Sequence, residues 1–215
     1  MIQRFIIHPS YFSTIAQWAL VVQFEEKITW EVCDNFQKQT YRNRTVIATD
    51  KGPLVLSIPI KHRRKERQLT SAVVSDPSER WNELHWKSIV TAYHSSPFFE
   101  FYESELKPMF AEGEVNLLEH NLKSFSFLCQ ALGITTPEPK TTTYQPSFNQ
   151  NEDTLDLRRL IQAKESLPLN YTPYPQVFDS SQPFISGLSG LDLLFNLGPK
   201  QSRRYLESLD LSGLF

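Results

Sequence analysis

The amino-acid sequence predicts a single α/β or α+β domain with a small mixed sheet flanked by helices. An apolar segment at residues 3–7 precedes a polar turn and then apolar residues at helical spacing, as at the start of an α/β unit. Two further β-type segments flank the turn at residues 50–52, which is typical of an antiparallel hairpin. The helix expected at residues 81–93 has its apolar side chains on one face, so it should cover another element.

The same patterns define the other elements. Pro9 should end the first strand because proline lacks an N–H donor, and Ser78 should cap the helix at residues 81–93. A proline-rich stretch at residues 168–183 should be irregular. The predicted strands are residues 3–7, 27–32, 45–48 and 54–60, and the predicted helices are residues 13–24, 81–93, 98–110, 114–132, 156–163, 188–196 and 202–209.

Length and composition favour one packed domain over residues 1–215. Of these residues, 40% are hydrophobic and 13% are aromatic, enough for a substantial core. Residues 135–151 are rich in Thr, Pro, Gln and Asn, and too little chain follows them to build a second core. We therefore expect a mobile loop near residues 135–152 rather than a domain boundary.

Charge and cysteine content exclude several functional classes. The formal net charge of −2 gives no general attraction to nucleic acid or anionic membranes. Cys33 and Cys129 lie far apart without zinc-type spacing, so we expect buried thiols in a reducing compartment, the cytoplasm, and no metal site. The longest apolar run, residues 18–22, is far too short to span a bilayer, so we expect no membrane insertion.

A basic run at residues 61–67 contains five Lys or Arg and one Glu. Such a run attracts phosphate groups or nucleic acid, but no aromatic residue interleaves it, and a solvated loop is favoured. We therefore expect no nucleic-acid partner. Lys61, directly after the fourth predicted strand, is retained as a candidate ligand-binding residue.

His8 lies between the first predicted strand and the first predicted helix. Ligands of open α/β sheets bind near the carboxyl ends of strands and the N-termini of helices. On one interpretation His8, Ser10, Ser13 and Thr14 line such a site. On the other, His8 bonds within a turn and Ser13 or Thr14 caps the helix. Both interpretations remain open from the sequence.

The segment Tyr41-Arg42-Asn43-Arg44 is the strongest candidate for ligand recognition. Arginine makes forked contacts with carboxylates and phosphates, and asparagine can orient a hydroxyl or an amide. The alternative is an exposed hairpin edge that is protected by charge.

Two further residues are candidates for proton transfer. His85 shares a helix face with Trp81, Ile89 and Tyr93, where it is either a core residue or a base. Asp192, near the start of a later helix, could cap the helix, form an ion pair or accept a proton.

Several stretches, in this order, resemble the WbqC-like family: HPSYFSTIAQWALVV, DNFQKQTYRNR, PIKH, WNELHWKSIVTAYHSSPFFEFY and FISGLSGLDLLFNLGP. The resemblance implies a bacterial protein of O-antigen or other surface-polysaccharide biosynthesis that transfers glycine or a related acyl group to an amino sugar. The closing stretch departs from the family pattern FIPNLSIIDLLF, because Ser186, Gly187 and Gly190 replace other residues. A proline-rich NYTPYPQVF also occupies a region that is glycine-rich in longer members, so we expect a difference in substrate.

The leading hypothesis is therefore an acyl or aminoacyl (glycine-type) transferase or ligase acting on a nucleotide-linked amino sugar. Such an enzyme would use an ATP- or carrier-activated acyl donor. The chain is also compatible with a homo-oligomer. With only 7 glycines and no phosphate-binding glycine loop, we expect no dinucleotide cofactor. The alternative is a non-catalytic glycan- or protein-binding component of the same pathway. Catalytic candidates are His8, His85 and Asp192, and substrate-binding candidates are Ser10, Tyr41, Arg42, Asn43, Arg44 and Lys61.

Overall fold

Ten regular elements are found in the computed structural model, which describes residues 2–61, 67–147, 153–164 and 167–215. The strands are β1 (Arg4–Ile7), β2 (Ile28–Trp30), β3 (Arg44–Thr49), β4 (Gly52–Ser57) and β5 (Thr154–Asp156). The helices are α1 (Ile15–Gln23), α2 (Trp81–Tyr93), α3 (Phe99–Leu106), α4 (Leu117–Leu132) and α5 (Gly190–Ser208).

The strands form two separate sheets. In the first, β1 lies between β2 and β5 and pairs in parallel with both, with Ile7 opposite Trp30 and Ile6 opposite Asp156. In the second, β3 and β4 form an antiparallel hairpin. Gly52 in its turn has φ +102°, a conformation that favours glycine. The predicted mixed α/β class is confirmed, with the parallel and antiparallel pairings in different sheets.

Helix α1 follows β1 directly and lies at the centre of the core. Its residues are apolar around nearly the whole circumference, so Ile15 to Val22 are all buried. Thr14 caps it, and the backbone at Thr14 bridges to Ser189 before α5. Ile15 N donates to Leu188 O at 2.9 Å. The N-termini of α1 and α5 are therefore fixed against each other.

Helix α4 begins at a side-chain cap, whereas α2 begins without one. The buried face of α2 contains Trp81, His85 and Ile89, as the spacing predicted. The predicted cap at Ser78 is wrong: Ser78 lies in a preceding 3-10 turn whose N-cap is Asp76. A left-handed Arg80 separates this turn from the helix. For α4, the Asn116 side chain accepts from Glu119 N, and Gly133 at φ +65° ends the helix.

The largest error of the sequence prediction lies at residues 156–163, where a helix was expected. The chain instead forms strand β5 and then a 3-10 turn, Arg158–Ile161. A three-residue strand is too short to show alternation, and its pairing with β1 decides its conformation. The two closing helical segments are confirmed, joined within α5 at a kink where Gly198 precedes Pro199.

The segment before β5 runs beside β2. Trp30 N donates to Pro139 O at 2.9 Å, and Thr141 N donates to Trp30 O at 2.9 Å. The mobile loop near 135–152 stays a prediction, and its residues 148–152 lie outside the described residues, as do 62–66 of the basic run. Cys129 is buried, Cys33 is partly exposed, and both are free thiols. Among the described helices, none has the length and apolar character needed to cross a membrane.

We predict that Gly190→Ala destabilises the fold through a steric clash between α5 and α1. An added Cβ would lie 2.6 Å from Cδ1 and 2.8 Å from Nε1 of Trp18, which is fully buried. Urea denaturation should show a loss of about 1–3 kcal/mol in the free energy of unfolding. In a Trp18→Leu background the clashing ring is gone, so the same substitution should cost less. Equal losses in both backgrounds would contradict the steric explanation.

Candidate functional site

The carboxyl ends of the three parallel strands meet at one edge of the sheet. His8 follows β1, Glu31 follows β2, and Asp156 ends β5. A cavity of ≈ 430 Å³ opens at this edge, and we call it the polar cavity. Its lining residues are His8, Asp34, Gln37, Tyr144, Pro146, Asp156, Arg158, Arg159, Ile161 and Gln162.

Arg42 lies behind the wall of the polar cavity, with 1% of its surface exposed. Its Nη2 forms an ion pair with Oδ2 of Asp34 and lies 2.8 Å from Nε2 of His8. The Asp34 carboxylate also accepts from Thr70 Oγ1 at 2.8 Å. Asn121 Nδ2 donates to the Arg42 carbonyl at 2.8 Å, which fixes the backbone. One guanidinium nitrogen therefore holds both His8 and Asp34 at the cavity wall.

This arrangement sets the protonation of His8. A guanidinium can only donate, so the His8 ring nitrogen that faces Arg42 must accept, and the ring is neutral. Burial and then the charge of Arg42 hold the pKa of His8 well below 6.5, against a hydrogen bond to the Glu31 main chain that raises it. Burial raises the pKa of Asp34, whereas Arg42 and Thr70 lower it. We conclude that a neutral imidazole lies beside an arginine–carboxylate pair.

The remaining guanidinium nitrogens of Arg42 make no compensating contact. Nε and Nη1 are buried and, within the described ranges, have no hydrogen-bond partner. Unpaired buried donors of a charged group lower stability rather than raise it. The side chain is therefore better explained by its effect on His8 and Asp34 than by stabilisation of the core.

A second arginine, Arg158, organises the opposite wall. Its Nε and Nη2 donate to the Asp156 carboxylate at 2.9 and 2.5 Å, and Nη1 lies 3.4 Å from the fully buried Glu31. Nη1 also donates to Gln145 O at 2.9 Å, and the guanidinium lies 5.7 Å from the centre of the Tyr144 ring. Arg158 thus fixes residues 144–146 along the cavity.

Sequence reasoning missed Glu31, Asp34, Asp156 and Arg158. The signal that could have found three of them is their position directly after or at the end of a parallel strand. Because β5 was predicted as a helix, Asp156 and Arg158 were not placed at the sheet edge. Asp34 gives no local signal, because only the fold brings it to Arg42.

The segment Tyr41–Arg44 distributes its side chains over three different environments. Arg42 points to the polar cavity from behind, whereas Asn43 and Arg44 line another cavity of ≈ 430 Å³ beside Asp76. Tyr41 lines a third cavity of ≈ 250 Å³, which we call the small cavity. The segment therefore does not act as one cluster, because Tyr41–Asn43 form a turn before β3 that directs their side chains to different sides of the chain.

The turn between β1 and α1 shows features of both interpretations, the ligand site and the helix cap. Thr14 caps α1, and Ser10 Oγ and Ser13 Oγ donate to Gln17 Oε1 at 2.8 and 2.6 Å. Gln17 Nε2 in turn donates to the main-chain oxygen of His8 at 2.6 Å. The serines thus hold the turn, while the ring of His8 lines the polar cavity.

Lys61 and Asp192 do not line the polar cavity. Lys61 forms an ion pair with Glu114 in which both side chains are about half exposed. Asp192 is fully buried and accepts from Tyr93 Oη at 2.8 Å and Tyr174 Oη at 2.6 Å. Burial raises the pKa of Asp192. Its contacts tie α2 and the proline-rich segment to α5.

His85 lies in an aromatic cluster away from the polar cavity lining. Its Nδ1 is 3.0 Å from Tyr11 Oη, and the Tyr11 ring lies near the rings of both His85 and His120. Trp81 contacts both histidines edge-on. Burial lowers the pKa of His85 to about 4 and that of His120 to about 4. Both rings are neutral core side chains in this environment.

The fold and this geometry define a mixed α/β protein with an open polar site at the carboxyl edge of a parallel sheet. The sequence model of the WbqC-like protein family matches residues 8–168, which include every strand except β1 and all the residues that line the polar cavity. The chain belongs to this family. No curated protein and no solved structure matches the chain.

We predict that Arg42→Gln raises the pKa of His8, because a like charge at hydrogen-bond distance disfavours the imidazolium. NMR titration of the imidazole signals, assigned with His8→Gln, measures the change. Arg44→Gln is the matched control, since Arg44 lines a different cavity. An unchanged His8 titration in Arg42→Gln would contradict the inferred role of Arg42.

The buried histidines predict that stability falls as the pH falls from about 6.5 to about 4. Over this range the unfolded chain binds protons that His85 and His120 in the folded chain do not. Each histidine should remove about 3 kcal/mol across the full range. Urea denaturation at a series of pH values should show that the free energy of unfolding falls less steeply with falling pH in His120→Phe than in the unaltered chain. His94→Gln, at an exposed histidine, is the control, and an equal effect there would contradict the assignment.

Proposed function

We propose that the chain is an enzyme of surface-polysaccharide precursor biosynthesis that transfers an acyl or aminoacyl group to the amine of a nucleotide-linked amino sugar. Membership of the WbqC-like protein family supports the pathway. The observation that carries the proposal is the polar cavity, in which a neutral His8 held by Arg42 and Asp34 lies opposite two arginines that follow β5.

Charge pairing in the cavity indicates which residue binds phosphate. Arg42 has Asp34 as its carboxylate partner, and Arg158 has Asp156. Arg159 lines the same cavity, and among the described residues its only protein hydrogen bond is from Nη2 to Leu214 O at 3.2 Å. Because it is a cation with no carboxylate partner in that part of the chain, Arg159 is the best candidate to bind the phosphates of a sugar nucleotide.

The transfer needs a proton acceptor for the sugar amine. The amine nitrogen attacks the carbonyl carbon of a thioester or acyl phosphate, so a C–N bond forms and the bond from that carbon to sulfur or oxygen breaks. The proton released by nitrogen passes through His8 to the leaving group, which requires the His8 ring nitrogen to exchange its hydrogen bond from Arg42 Nη2 for one from the amine. Asp34 Oδ2, 3.7 Å from His8 Nε2, stabilises the imidazolium formed in between.

A non-catalytic glycan-binding role is the second candidate. It is favoured by the hydrogen bonds that already engage His8 and Asp34 within the protein, since such groups can hold a ligand without moving a proton. For either role we propose a cytoplasmic location, for which the free thiols Cys33 and Cys129 are the support.

We predict that Arg159→Ala weakens binding of a UDP-, GDP- or dTDP-linked amino sugar by about tenfold or more, since a charge-assisted bond to phosphate contributes about 1.5–3 kcal/mol. Isothermal titration with the purified full chain measures the affinity. Arg203→Ala is the matched control, because Arg203 also donates to a main-chain carbonyl but lies elsewhere.

Turnover separates the two candidate functions. Incubation with each amino sugar and a short-chain acyl thioester or acyl phosphate should give an N-acylated sugar nucleotide, detected by mass spectrometry. Binding without product across this panel would favour the binding role. Absence of any sugar-nucleotide binding would contradict both proposals for the polar cavity.

A further inference from the structure

The small cavity adjoins the polar cavity. Gln162 lines both of them. The main chain divides them where Tyr41 N donates to Ile161 O at 2.8 Å and Thr40 bridges to Gln162. The Gln162 side chain donates to Gln37 Oε1 at 3.3 Å, a long and exposed bond. Gln162 is therefore the side chain that the two cavities share, beside the main-chain pairing that separates the rest of their walls.

The walls of the two cavities differ in chemistry. The polar cavity is lined by His, Asp and Arg, whereas the small cavity is lined by leucine, tyrosine and uncharged polar residues. Its volume of ≈ 250 Å³ is below the range of about 300–1,000 Å³ that is typical for whole ligands. It therefore suits an uncharged group of a larger ligand. The lining residues are Thr14, Tyr41, Leu160, Gln162, Leu167, Leu169, Tyr171, Ser186 and Gly187.

Two tyrosine hydroxyl groups give the small cavity hydrogen-bond donors. Burial raises the pKa of Tyr171 to about 12, with smaller contributions from Tyr205 and from Tyr41. Burial also raises the pKa of Tyr41. Both phenols stay protonated at neutral pH and can donate to a carbonyl oxygen. Within the described residues, no hydrogen bond from either Oη to a protein acceptor is found.

We infer that the small cavity binds the acyl group of the activated donor, with its carbon chain against Leu167 and Leu169 and its carbonyl oxygen at the phenols of Tyr41 and Tyr171. This inference rests on the proposed acyl transfer and names the chemical class of its second substrate, a short uncharged acyl group. The sugar nucleotide occupies the polar cavity, and the reacting amine and carbonyl meet at Gln162.

Filling the small cavity tests the inference through steady-state kinetics. Leu169 is 9% exposed and lines the cavity, so Leu169→Trp should occupy the space of the acyl group. The KM for the acyl donor should rise by about tenfold or more, while the KM for the sugar nucleotide stays within about twofold. Leu84→Trp, at an exposed position of α2, is the matched control. An unchanged donor KM in a folded Leu169→Trp protein would overturn the inference.

A binding measurement on the unaltered chain does not depend on turnover or on the folding of a variant. Propionamide serves as an uncharged carbonyl probe and UDP as a probe of the polar cavity, both followed by methyl and imidazole NMR. Saturable propionamide shifts at the Leu167 and Leu169 methyl groups support the inference, even if no donor is turned over and the transferase proposal fails. Absence of such shifts, with UDP binding intact, overturns the inference and leaves the transferase proposal standing.

Discussion

Parallel pairing of β1 with both β2 and β5 is the constraint on which the site depends. Parallel strands end at the same edge, so this pairing brings His8, Glu31 and Asp156 together from distant parts of the chain. It also requires long connections between the strands. The hairpin, α2, α3 and α4 all lie in the connection between β2 and β5. The same connection supplies Asp34 and Arg42, so the chain that covers the sheet also builds the site.

Burial of charge is the second physical feature of the site. Arg42, Asp34 and Glu31 are nearly inaccessible to water, and desolvation of such groups opposes folding. Pairing recovers part of that free energy, but two nitrogens of Arg42 stay unpaired among the described residues. A hydrophobic residue of similar volume would avoid this penalty. The retention of charge here fits a requirement of the site, which is to keep His8 neutral and oriented.

The two adjoining cavities give a physical basis for the proposed reaction with two substrates. The polar cavity has charged walls, whereas the small cavity has apolar walls with hydroxyl groups. A main-chain pairing and the side chain of Gln162 separate the two. The N-termini of α1 and α5 border the small cavity through Thr14 and Gly187. The family match ends at residue 168, so Leu169, Tyr171 and Gly187 belong to the part of this chain that the match does not cover.

Local patterns were enough to predict the mixed class, the hairpin and the long helices, because these depend on apolar periodicity and on the turn at Gly52. The family followed from the resemblance of several stretches of the chain, and the family match confirms it. The sequence also indicated His8 and Arg42 as candidate site residues, since one follows a strand and the other lies in a polar cluster. That residues 154–156 form a strand depends on the tertiary fold, because pairing with β1 rather than local preference stabilises them. The tertiary fold also decided that Arg42 and Arg44 face different cavities, that Asp192 is tied to two tyrosines, and that Asp34 and Arg158 line the polar cavity. These outcomes depend on contacts between residues far apart in sequence, which local spacing does not encode.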